Sequence, residues 1–284
     1  LHRAGYVVHG MVRKLTADGI PGVPGVQQLH PCDLSDAEGV RMAIEAAQPQ
    51  LVVHLAAIAF VGQADAALMY QTNVVGTRNV LEALVKLGTS SGLEAVLVAS
   101  SANIYGNATP GVISEDAPYA PANDYAVSKV AMEYLCDLYR ERLPLIVTRP
   151  FNYTGVGQSL NFVIPKIVDH ATRRAPQIEL GNLDVARDFS DVRYVAQVYR
   201  CLLECPAAIG TRVNVCSGQA YTLSDVLSLV ARISGHPMDV RVNPAFVRAN
   251  EVKVLQGDGA RLAALVGQVP KIALEDTLKW MLGG

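Results

Sequence analysis

Tyr125 and Lys129 stand four residues apart at the start of a stretch whose apolar spacing predicts a helix, so both side chains leave the same side of it. A phenol titrates at about 10, and a cation held close to it favours the phenolate and lowers that value toward neutrality. Such a tyrosine can give and take protons, which is general acid/base chemistry. The same spacing also occurs in ordinary surface pairs, so the surroundings decide what it means. Upstream, Ser100-Ser101-Ala102-Asn103-Ile104-Tyr105-Gly106 follows a strand-like run. From that strand end the Ser101 hydroxyl can hold the same substrate oxygen by a hydrogen bond.

These residues need a scaffold, and the hydrophobic pattern supplies one. Strand-like runs at Tyr6–Val12, Leu51–Leu55, Ala95–Ala99 and Leu145–Thr148 alternate with amphipathic stretches at Ala37–Ala47, Leu68–Leu87 and Tyr125–Arg142. That alternation predicts an α/β fold, a doubly wound parallel sheet of the Rossmann type. Ligands of such sheets lie beyond the carboxyl ends of the strands. There the residues are small or polar: Ala56 and Ala57 after Leu55, Ser100 and Ser101 after Ala99, Arg149 to Asn152 after Thr148. After Pro150 the alternation gives way to loops rich in Gly, Asn and Pro, with helices near Asn161–His170, Val192–Leu203, Leu223–Ile233 and Leu274–Leu282. A smaller, mostly C-terminal lobe is expected. The Pro21 to Gly25 stretch reads as a flexible turn after a strand, and no internal repeat interrupts the pattern.

Composition narrows the function. The 284 residues carry 24 Lys+Arg against 26 Asp+Glu, a formal charge of -2, with 50% apolar residues, which describes a soluble globular chain. No cluster of basic residues marks a nucleic-acid partner. The longest apolar run, Leu51 to Gly62, is short and contains His54, so no membrane span is expected. Five scattered cysteines, Cys32, Cys136, Cys201, Cys205 and Cys216, lack metal spacing and suit a reduced, cytoplasmic setting, with Cys201 and Cys205 read as a buried, inert pair. No metal is implied. His9, His30 and His54 lie in or beside apolar runs and read as packed or exposed side chains.

Several ordered motifs together resemble one family, the extended short-chain dehydrogenases/reductases, which act mainly on nucleotide-linked sugars. Asp33-Leu34 is similar to its acidic pair near the adenine, and the run ending Leu55-Ala56-Ala57 to its cofactor-lining strand. Asn73 in NVVGTRNVLEA resembles its central helix, Ser101, Tyr125 and Lys129 its catalytic trio, and Arg149-Pro150-Phe151-Asn152 the segment beside nicotinamide and substrate. The resemblance covers nearly the whole chain. Its second half looks most like the GDP-mannose 4,6-dehydratase and GDP-4-keto-6-deoxymannose reductase branch, in FNYTGVGQSLNFVIPKIV, ARDFSDV, RANEVKVLQGDGARLAALVG and PKIALEDTLKWM.

The resemblance implies a cofactor held by Arg13, Asp33, Leu34, Leu55, Ala56, Ala57 and Asn73 together with Tyr125 and Lys129. It implies a GDP-linked, or other NDP-linked, sugar met by Ser101, Asn103, Asn152, Asn161, Arg187 and Arg248. Arginine forks and amides suit phosphate and hydroxyl oxygens. The first predicted strand ends in Arg13 and Lys14 where NAD-specific folds place an acid, so NADP(H) is favoured over NAD(H). Homodimers through Leu68–Leu87 and Tyr125–Arg142 are the family's habit.

Sugar 4,6-dehydratases use a carboxylic acid two residues before the tyrosine of the serine segment, and here that residue is Asn103. An amide cannot give and recover that proton, so the expected reaction is reduction at C4 of a 4-keto-6-deoxy sugar, giving a GDP-6-deoxyhexose such as GDP-rhamnose. Two other readings stand beside it: a nucleotide-sugar 4-epimerase that retains its NAD, and a non-catalytic nucleotide- or dinucleotide-binding protein. The dinucleotide-binding domain is expected over 1–157 with 184–216 returning to it, and the sugar-binding lobe over 158–183 and 217–284. The family's Gly-rich pyrophosphate turn belongs before Leu1, so a first strand and turn of about 20 to 25 residues are expected upstream.

Overall fold

Side-chain caps decide where the helices begin. In the computed structural model, which describes residues 1–13, 24–59, 65–88, 92–106, 111–246 and 253–283, the Asp36 carboxylate accepts the Gly39 N–H and starts α1 (Ala37–Ala47) as the sequence predicts. Its buried face, Val40, Ala43 and Ile44, follows the three-four spacing. Asp65 caps the next helix by accepting from Ala67 and Leu68 N–H, which moves its start upstream of the expected Leu68.

In chain order the first half contains β1 (His9–Val12), β2 (Gln28–Pro31), α1, β3 (Leu51–His54), α2 (Ala66–Tyr70), α3 (Thr77–Leu87) and β4 (Ala95–Ala99). It continues with β5 (Val112–Ile113), α4 (Asp124–Asp137), β6 (Leu145–Pro150) and β7 (Asn152–Thr154). The second half runs α5 (Val163–Thr172), β8 (Gln177–Leu180), β9 (Ala186–Asp191), α6 (Val192–Leu203), β10 (Arg212–Val215), β11 (Ala220–Thr222) and α7 (Leu223–Ser234). It ends with β12 (Asp239–Val242), β13 (Val254–Gly257), α8 (Ala260–Val266) and α9 (Leu274–Gly283).

Three expectations are corrected in detail. The helix expected over Leu68–Leu87 is α2 and α3 joined by a π-helical turn, Gln71–Gly76. At that turn the Thr77 hydroxyl donates to Asn73 O, a side chain inserted into the backbone ladder. Helix α4 stops at Asp137 rather than Arg142. Tyr139 N–H bonds Cys136 O in a tighter turn, and Pro144 disfavours helix at the residue before it. Cys201 and Cys205 are half-buried rather than buried, because α6 turns Tyr194, Val195, Val198, Tyr199, Leu202 and Leu203 inward.

The chain forms two compact units, one of Leu1–Ala99, Asn123–Val147 and Pro206–Thr211, the other of Ser100–Ala122, Thr148–Cys205 and Arg212–Gly284. In the first, β1 pairs in parallel with β2, His9 opposite Gln28, and β3 with β4, Leu51 opposite Ala95. The start of β6 follows beside β4, with Val96 N–H donating to Pro144 O at 2.9 Å. The core packs Val40 and Ile44 of α1, Val80, Leu81 and Leu84 of α3, Met132 and Cys136 of α4 and Val96 and Val98 of β4.

In the second unit β9 is the organising strand, antiparallel to β11 and parallel to β7 and β13. β5 extends β13, and β8 pairs in parallel with β12. Helices α5, α7 and α9 close a separate core through Ile164, Ile167, Val226, Val230, Leu274 and Leu278. Among the described residues no helix is long and apolar enough to cross a membrane.

Candidate active site

The Asn123 side chain accepts the Ala126 N–H at 2.9 Å and caps α4, which puts Tyr125 in its first turn and Lys129 one turn later. Both are buried, with Lys129 only 3% exposed. Lys129 Nζ donates to Ala99 O at 2.8 Å, the last carbonyl of β4, and lies 5.9 Å from the Tyr125 ring centroid. Burial pushes the Lys129 ammonium down to about 8, against the smaller pull of Cys136 and Glu133. A cation is therefore fixed beside a buried phenol, as the spacing predicts.

Behind this pair lies a relay that sequence reasoning missed. The Ser128 hydroxyl donates to Tyr125 O at 2.7 Å and accepts from Asn73 Nδ2 at 3.0 Å. The other Asn73 contacts go to Ile58: Oδ1 accepts its N–H at 2.8 Å, and Nδ2 donates to its carbonyl at 3.1 Å. Both amide hydrogens are spent inside the protein. Asn73 thereby braces the loop after β3 against α4. His54 is buried, and its Nε2 is 2.9 Å from the Thr77 hydroxyl. That hydroxyl gives its own hydrogen to Asn73 O, so Nε2 must donate. Burial, helped by the Lys129 charge, lowers His54 to about 4, so the ring is neutral. The signals in the sequence were Thr77 four residues after Asn73 and Ser128 three after Tyr125.

The other residues expected at the cofactor lie just past strand ends of the same unit. Arg13 follows β1 and is exposed; Asp33 follows β2. Two bonds from Ser35, its N–H at 2.9 Å and its hydroxyl at 2.8 Å, hold the Asp33 carboxyl below the usual range, with a smaller pull from Arg13. Leu34 is half-buried against the core, and its carbonyl accepts from Asn79 Nδ2 at 2.7 Å. Leu55 and Ala56 are exposed and Ala57 half-buried directly after β3. His9 and His30 stack with ring centroids 5.3 Å apart. Lys14 and residues 21–23 lie outside the described residues.

In the second unit Ser101 caps a short 3₁₀ turn, Ala102–Tyr105. Its Oγ accepts from Asn103 N–H and from Asn103 Nδ2, each at 3.2 Å. With its lone pairs taken, the hydroxyl has its own hydrogen left to donate outward. Gly106 ends the turn at φ 51, where an added Cβ would lie 1.8 Å from Ala120 O. Asn152 is exposed on β7 and Asn161 exposed just before α5. Arg187 sits within β9, opposite Tyr221 of β11. Arg248 lies outside the described residues. Beside Arg187, buried Asp188 accepts from Ser217 N–H and Oγ, Gly218 N–H and Gly257 N–H, a clasp with no local signal in the sequence. Among the described residues no group of His, Cys, Asp and Glu could hold a metal ion.

The family model for GDP-mannose 4,6 dehydratase matches residues 1–281. The chain belongs to that family. It is 36% identical over 245 residues to the GDP-6-deoxy-D-mannose reductase of Pseudomonas aeruginosa, covering 82% of this chain and 79% of that one. It is 34% identical over 235 residues to the GDP-6-deoxy-D-talose 4-dehydrogenase of Aggregatibacter actinomycetemcomitans, covering 83% and 79%. Among solved structures, RMD from Pseudomonas aeruginosa complexed with NADPH superposes with a TM-score of 0.82 at 30% identity, covering 98% of this chain and 97% of that one. A candidate epimerase from Burkholderia cenocepacia J2315 gives 0.90 at 50% identity, covering 99% and 90%. Membership in this family makes the chain an NAD(P)-dependent oxidoreductase of nucleotide sugars with a Rossmann fold.

Proposed function

We propose that this chain is an NADP(H)-dependent reductase that converts a GDP-linked 4-keto-6-deoxyhexose into a GDP-6-deoxyhexose. The observation that carries the reading is the buried Lys129 ammonium fixed 5.9 Å from the ring of Tyr125. When bound, reduced nicotinamide supplies the hydride. Tyr125 gives its proton to the sugar's C4 oxygen, and Lys129 stabilises the phenolate left behind. Ser101, an obligate donor because Asn103 occupies its lone pairs, hydrogen-bonds the same oxygen as negative charge builds on it. Asn103 supplies no acid for dehydration.

The residues suit the cofactor. Exposed Arg13 beyond β1 offers a cation to a 2′-phosphate, and Asp33 stands close enough to feel its charge. The NADPH bound by the Pseudomonas aeruginosa RMD supports the same choice, with NAD(H) as the alternative. Residues 1–157 with 184–216 are assigned to the dinucleotide, and 158–183 with 217–284 to the GDP-sugar. Asn152, Asn161, Arg187 and Arg248 are assigned to its phosphates or ribose.

A homodimer through the two adjacent helices of the first unit is supported by the exposed apolar residues Leu68, Val75, Val127, Tyr134 and Leu138. Five cysteines, none of them in a disulfide, suit a cytoplasmic setting. The test is loss of NADPH absorbance when the protein meets GDP-4-keto-6-deoxymannose. Consumption with a GDP-6-deoxyhexose product is expected. A 4-epimerase, the reading favoured by the Burkholderia relative, would instead hold NAD tightly and consume none.

A further inference from the structure

We infer that Arg149 is a positioning residue which, through Tyr105, fixes the turn that presents Ser101. The inference rests on the role of Ser101 proposed above. Arg149 is 2% exposed. Its Nη1 donates to the Tyr105 hydroxyl at 2.9 Å and to Glu115 O at 2.8 Å, and its Nη2 donates to the Tyr119 hydroxyl at 2.8 Å. Its guanidinium carbon also lies 5.2 Å from both ring centroids. Because the Tyr105 oxygen accepts from Arg149, its hydrogen goes to Asn214 Oδ1, 2.7 Å away. The Asn214 amide cannot turn over, since Nδ2 donates to Ile113 O at 2.9 Å. The Glu115 carboxylate closes the circuit by accepting Asn214 N–H at 2.8 Å.

Desolvating a guanidinium is expensive, and an apolar residue would fill the same volume without that cost. What an apolar residue lacks is a rigid fork that reaches two chain segments at once. One segment ends in Tyr105, the last residue of the 3₁₀ turn that Ser101 caps. The other holds Glu115 and Tyr119 and continues to Ala120, whose N–H donates to Ile104 O at 2.8 Å. The turn is thereby clamped at its far end and along its side, which leaves Ser101 at its near end in one place. Hydrogen-bond stabilisation of a developing charge requires that placement, because a displaced donor loses much of its effect.

The test is Tyr105→Phe, which keeps the ring on Arg149 and removes the hydroxyl. Amides of residues 102–106 are expected to exchange about tenfold faster. Turnover of GDP-4-keto-6-deoxymannose is expected to fall about tenfold in kcat with KM nearly constant, and the fall should vanish in a Ser101→Ala background. Tyr119→Phe, which leaves Tyr105 intact, should move the same amides through Arg149 and decides the matter if the first variant does not fold. Unchanged exchange over 102–106 overturns the inference whatever the activity. A loss of rate that persists undiminished in Ser101→Ala also overturns it, because the network then supports only general stability. If the unaltered enzyme does not turn over, the proposed function fails, and the exchange measurement still decides whether Arg149 holds the turn.

Discussion

Lys129 Nζ donates to Ala99 O at 2.8 Å, so the cation beside Tyr125 is anchored to the carboxyl end of a central strand. A side chain with four rotatable methylenes is thereby held at one point by a backbone carbonyl, with only a smaller pull on its charge from Cys136 and Glu133. Removing it with Lys129→Met is expected to lower kcat by about 100-fold or more, measured as NADPH consumption at saturating sugar.

The same burial makes stability depend on alkaline pH. Lys129 titrates at about 8 in the folded chain and at its ordinary 10.5 once unfolded. Between those values the unfolded chain binds more protons, so this group raises stability as pH climbs from 8 toward 10.5 and gives no further change above or below that window. Urea unfolding across the window should show that rise in the natural chain relative to Lys129→Met. Parallel pH profiles would count against a buried ammonium.

Asn103→Asp tests the direction of the Ser101 hydroxyl. The amide donates to Ser101 Oγ at 3.2 Å, whereas a carboxylate in its place accepts, and would draw the serine hydrogen away from the substrate. Reduction should slow by about 10²-fold with sugar affinity little changed, measured by steady-state kinetics and by GDP-sugar binding.

Asp188 carries a purely structural prediction. Burial raises its carboxyl despite the four donors from Ser217, Gly218 and Gly257 that lower it. In Asp188→Asn one side of the group becomes a donor facing donors, which should cost about 1–3 kcal/mol in denaturant unfolding.

Leu138 is 72% exposed at the end of α4, in line with Val127 and Tyr134. Leu138→Glu puts charge into the proposed dimer face. Light scattering should show a shift from dimer toward monomer, with the circular dichroism unchanged.

The parts of the molecule legible in the sequence were those set by local pattern. α1 at Ala37–Ala47 and α6 at Val192–Leu203 follow from apolar periodicity closed by Asp36 and Asp191 caps. The Tyr125–Lys129 pair followed from helical spacing read together with the serine segment upstream of it. What stayed hidden depends on contacts between distant residues: Tyr105 with Asn214, 109 positions apart, and Asn73 with Ser128, 55 apart. No periodicity encodes such a meeting. The π-helical turn at Asn73 was likewise invisible, because its cause is a hydroxyl at Thr77 competing for a backbone carbonyl.

Tyr125→Phe tests the central claim most directly, since it removes one oxygen and keeps the ring. A single-turnover measurement with NADPH and GDP-4-keto-6-deoxymannose, paired with calorimetric binding of the GDP-sugar, separates chemistry from affinity. Binding within about twofold of the natural chain and a rate lower by about 10³-fold or more are expected. Reduction at an undiminished rate would contradict the assignment of Tyr125 as the proton donor.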